Sequence, residues 1–115
     1  MISVSRGEGN NKPAMEFMST GGTCIASYWS GHKNWLHPDC TYALRGTLAP
    51  VSVNHPDVLD YRVDKQHLKD TMLDCWRNPG DVRQKGRNSA RWIRQAFSWE
   101  RTVDQLLAHF IQVLS

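Results

Sequence analysis

"ISVSRGEGNNKPAMEFMSTGGTCIAS", residues 2–27, decides the fold. "ISVS" (2–5) is apolar and β-branched, with the length of a short strand, and turn residues follow at once. Pro13 fits the first position of a helix, where its missing N–H would have no partner anyway. In "PAMEFMSTGG", Met15, Phe17 and Met18 supply an apolar side, and Gly21–Gly22 end the helix. "TCIAS" (23–27) then reads as a second, buried strand. Strand, turn, helix, strand is a βαβ unit. Such a unit predicts a parallel sheet covered by helices.

Outward from this unit the signals alternate in strength. Residues 28–62 read as a loop with one helical turn, followed by short extended pieces "TYAL" and "APVSV" around Gly46. Pro50 belongs on an edge strand. From Asp64, Leu68, Met72 and Cys75 or Trp76 recur at helical spacing, and the run stops at "NPG". Asn78 is positioned to cap a new helix with Pro79 first in it, and Val82, Gly86, Ser89, Ile93 and Phe97 share one face. Ser98 caps a last helix bearing Val103, Leu106, Leu107, Phe110 and Leu114. The expected class is α/β: a partial Rossmann-like domain, a short parallel sheet with flanking helices and a helical C-terminal end. Residues 1–115 form one domain.

Composition narrows the function classes. A chain of 115 residues buries roughly 65% of its unfolded surface, enough for a modest core. The formal net charge of +3 is too mild to argue for nucleic acid by itself. "MISVSRGEGNN" holds no apolar run of signal-peptide length, and no stretch is long enough to span a membrane. Three cysteines, an odd number, fit a reducing cytoplasm better than a disulfide scaffold.

The turn after the first strand lies at the carboxyl edge of the sheet, where open α/β sheets bind ligands. A helix starting near Pro13 offers unpartnered N–H groups and its positive dipole end, which together suit a phosphate. Gly9 permits close backbone approach, and Asn10 and Asn11 tolerate left-handed conformations. Glu16, one turn into the helix, would repel phosphate but accept hydrogen bonds from a neutral vicinal diol such as a ribose. Glu8, on the loop, would face whatever lies beyond the phosphates. A nucleotide diphosphate with a sugar at its far end matches this order of groups.

"SRGEGNNKPAMEFMSTGGTCIAS", followed by "WSGH", resembles the donor-site segment of family 4 retaining glycosyltransferases, which carry two glutamates separated by seven residues. "NPGDVRQKGRNSARWIRQAFSWERTVDQLLAHF" is similar to the closing helices of that family, so the resemblance spans most of the chain in the same order. It implies that Glu8 lies near the donor sugar and helps position its anomeric carbon. It implies that the backbone of Gly9, Asn10, Asn11 and Lys12 cradles the diphosphate, and that Glu16 holds the ribose. The implied chemistry is retaining glycosyl transfer from a nucleotide-sugar, with no cofactor and no required metal. Asn10 and Asn11 replace the usual Phe-Gly, and Lys12 replaces an apolar residue. Asn11 is therefore expected to adopt the geometry of the glycine. The resemblance covers only part of a second domain. The acceptor domain and the upstream Arg and Lys that neutralise the diphosphate are missing, so the chain alone is not expected to be a competent transferase. The resemblance thus implies a fragment, a naturally truncated relative, or one half of a split enzyme whose acceptor domain a partner chain would supply.

Three further features complete the expectations. Cys24, His32, His37 and Cys40 have separations unlike a zinc finger and read instead as core cysteines with surface histidines. Arg83, Arg87, Arg91 and Arg94 form a stripe that reads either as a solvated face or as a basic surface for peripheral membrane contact or nucleic acid, with nucleic acid the less favoured. A sheet cut short exposes an edge and an apolar face, which predicts a homo-oligomer, most simply a two-fold dimer.

Overall fold

The computed structural model describes residues 1–115. Strand β1 (Ile2–Ser3), helix α1 (Lys12–Ser19), strand β2 (Ile25–Ser27) and strand β3 (Tyr42–Leu44) build the α/β part. The three strands form one parallel sheet in the order β1-β2-β3, with Ile2 opposite Ile25 and Ile25 opposite Tyr42. The βαβ reading therefore holds, and "TYAL" supplies the third parallel strand. A 3-10 turn, Ser30–Asn34, lies between β2 and β3.

Strands β4 (Gly46–Ser52) and β5 (His55–Val63) form a separate antiparallel hairpin, irregular in register between Pro50 and Ser52. The second half of this hairpin carries no clean alternation in sequence. Helices α2 (Lys65–Arg77), α3 (Pro79–Ala96) and α4 (Trp99–Leu114) end the fold. Their starts follow local chemistry: the Asp64 side chain accepts from the His67 amide, and Ser98 accepts from the Arg101 amide. Asn78 stands at the start of α3 but does not cap it. Its amide instead donates back to the Asp74 carboxylate at 2.8 Å, fastening the end of α2.

The core lies between α1, α3 and the parallel sheet. Ala14, Met15, Met18, Cys24, Ala26, Trp35, Cys40 and Ile93 cluster there. Phe17, expected on the apolar side of α1, is 40% exposed and lies over Gly22, where a Cβ would collide with its ring. Ala14 takes its place inward. α3 approaches α1 closely because Gly86 has no side chain to strike the Gly21 carbonyl. Polar ties fix α3 to the loop before β3: Ser89 Oγ donates to the Cys40 carbonyl at 2.7 Å, and Asn88 Nδ2 donates to the Asp39 carbonyl at 2.9 Å. No helix is long and apolar enough to cross a membrane.

Candidate anion and sugar site at the start of α1

The loop from β1 to α1 is shaped by two residues with left-handed backbone, Asn11 at φ 57° and Ser30 at φ 54°. Asn11 thus adopts the conformation that its position demanded, one that asparagine tolerates better than most side chains. Its side chain is fully used. The oxygen accepts from the Ala14 amide at 3.4 Å, capping α1, while Nδ2 donates to Ser3 Oγ at 2.8 Å and faces His32 Nε2 at 2.9 Å.

His32 is completely buried, which corrects the expectation of a surface histidine. Its Nδ1 lies 3.0 Å from the Ser27 carbonyl, an acceptor only, so Nδ1 carries the hydrogen and Nε2 receives that of Asn11. The sequence hid this role because its partners lie at Ser3, Asn11 and Ser27 on separate elements. "WSGH" was the visible signal.

The same segment clamps the loop from the other side. Ser30 Oγ donates to the Glu8 carbonyl at 2.7 Å, the Gly31 amide donates to the same carbonyl at 2.9 Å, and Trp35 Nε1 donates to the Asn10 carbonyl at 2.7 Å. Any Cβ on Gly31 would run into the Gly9 carbonyl, so only glycine lets these two stretches meet. The carbonyls of Glu8 and Asn10 are therefore turned toward the protein. The amides of Gly9, Asn10, Asn11 and Lys12 make no hydrogen bond within it. Four consecutive unpaired donors at a helix start form a concentrated positive edge.

Beside this edge lies an open cleft of about 450 Å³. Asn10, Lys12, Met15, Glu16 and Ser19 line one wall; Ile93, Phe97, Trp99 and Thr102 line the other. The structure thus brings together Asn10, Lys12 and Glu16. Glu8, Gly9 and Asn11 do not line the cleft: Glu8 and Gly9 belong to the clamped loop, and Asn11 works beneath it. The aromatic wall, Phe97 with Trp99, was not anticipated as part of the site.

Cys24, His32, His37 and Cys40 do not converge, and no three His, Cys, Asp or Glu side chains are grouped to hold a metal ion. Burial raises the thiols of Cys24 and Cys40 above the ordinary range, as suits cysteines of the core. All four arginines of the α3 stripe are exposed, but Arg94 donates to the Ser19 carbonyl at 3.1 Å and Arg87 to Gln84 at 2.6 Å. Comparison with protein-family models gives no match, and comparison with the curated proteins gives none either.

Proposed function

We propose that this chain is a donor-binding half-domain for a nucleotide-sugar, similar to that part of a family 4 retaining glycosyltransferase. The observation that carries the reading is the run of unpaired amides from Gly9 to Lys12 opening beside a cleft that holds both Lys12 and Glu16. Amides and a lysine suit a diphosphate, and a carboxylate one turn along suits the two hydroxyls of a ribose. Phe97 offers the flat apolar wall that a base requires. Glu8 stands on the loop side of the amides, where the sugar would extend. In this reading no metal is needed, and transfer would require an acceptor-binding domain beside this donor half. Three free cysteines support a cytoplasmic setting.

Calorimetric or amide-shift titration against UDP, GDP and ADP and their sugar conjugates tests this directly. Saturable binding is expected for one base, weakened about ten- to a hundredfold in Glu16→Ala, as for loss of a charge-assisted hydrogen bond. A folded protein silent across the whole panel would overturn the reading.

A further inference from the structure

α4 buries none of its residues, yet it is the most apolar helix of the chain. Trp99, Val103, Leu106, Phe110 and Val113 follow one another at alternating four- and three-residue steps, the spacing of knobs along a helix seam. Trp99 is 81% exposed and Leu114 is 84% exposed. Leu107, Ile111 and Leu114 flank the seam and widen it. A 16-residue helix is marginal in water without a packing surface. We propose that a second copy of this chain docks along the seam of α4, forming a two-fold dimer.

Surface area is consistent with an occupant of that size. The chain exposes 7957 Å², whereas a compact monomer of 13.2 kDa exposes about 6,400 Å². The surplus, about 1,500 Å², exceeds the roughly 800 Å² that each partner contributes to a standard interface.

Charge argues against a membrane as the occupant. The polar side of α4 carries Glu100 and Asp104 against Arg101 alone among permanent charges, so it lacks the lysines and arginines that draw an amphipathic helix onto an anionic bilayer. The stripe is its own complement, since knobs at this repeat fit the holes of the same repeat. The parallel sheet is a poorer seam: its strands have two or three residues each and offer few pairing groups. The dimer expected from an exposed sheet edge is thereby moved to the last helix.

Sedimentation from low- to high-micromolar concentration provides the test, run without nucleotide so that it stands apart from the donor-site reading. Wild type should pass from monomer to dimer. Leu106→Glu and Phe110→Glu should raise the dissociation constant at least tenfold, while Gln105→Glu, on the polar side with the same added charge, should not. In parallel, wild-type tryptophan emission should shift to the blue with concentration, and Trp99→Phe should remove most of that shift. This second readout needs no charged stripe variant to fold. A monomer at every concentration, a dimer indifferent to the stripe charges, an emission that ignores concentration, or a monomer that gains helix on anionic vesicles would each overturn the proposal.

Discussion

Asn11 concentrates three duties in one side chain: helix cap, donor to Ser3 and donor to His32. Asn11→Ala removes the cap, leaves buried His32 Nε2 with only the longer 3.4 Å contact to Ser3 Oγ and keeps an unfavourable φ. The sum is expected at about 2–4 kcal/mol, lowering Tm by roughly 10 °C in a thermal melt. Tyr42 gives a prediction in pH. Burial, and then the neighbouring Cys75, push its hydroxyl from the ordinary 10.0 up to about 12. The folded state therefore keeps a proton that the unfolded chain gives up. This contribution to stability is complete below pH 10 and fades as pH climbs toward 12. Near-ultraviolet absorbance should record late tyrosine ionisation from Tyr42 and from Tyr61, whose hydroxyl is also raised by burial, and Tyr42→Phe should remove the component near pH 12. At this scale the sequence was half legible. Asn11 and Pro13 announce themselves by type, because their preferences are local. His32 does not, because its burial depends on groups up to 29 residues away.

Among the elements, the hairpin β4–β5 is the least secured. A two-stranded hairpin is marginal by itself, and this one is pinned at its base. Tyr61 stacks on Trp29 with 5.9 Å between ring centres and donates to the Leu44 carbonyl at 3.2 Å. Asp60, 7% exposed, holds Arg6 at 3.2 Å and Arg62 at 3.1 Å. In Asp60→Ala both guanidiniums return to water, so the cost should stay near 1–2 kcal/mol. It should show as faster amide exchange along 58–62 more than as a lower global Tm. The helices were readable from Asp64, Pro79 and Ser98, whose capping or first-turn chemistry needs only neighbours in sequence. β5 was not, since Pro56, a buried Asp60 and the irregularity near Pro50 break the period of two, and one of the two arginines that hold Asp60, Arg6, lies far back in the chain. The site followed the same division. Lys12 and Glu16 could be placed from helix geometry, whereas the wall of Phe97 and Trp99 required the packing of α3 onto α1.

As a whole the molecule is a slab, 51 × 46 × 18 Å, with a radius of gyration of 16.7 Å against about 13 Å for a compact chain of this length. Only 17 of 115 residues are buried. The heat capacity change on unfolding a dilute sample should therefore fall below the about 1.4–1.7 kcal/mol/K usual for this size. Calorimetry at rising concentration should move Tm upward, because a partner that binds only the native form stabilises it by mass action. A Tm independent of concentration would count against a folded-state partner of its own kind. The floor beneath the loop has a consequence of another sort. The shape of "EGNNK" is imposed by Ser3, Ser30, Gly31, His32 and Trp35, which are drawn from both sides of β2. Transplanted into a foreign scaffold without those five supports, the pentapeptide would carry its letters but not its curvature.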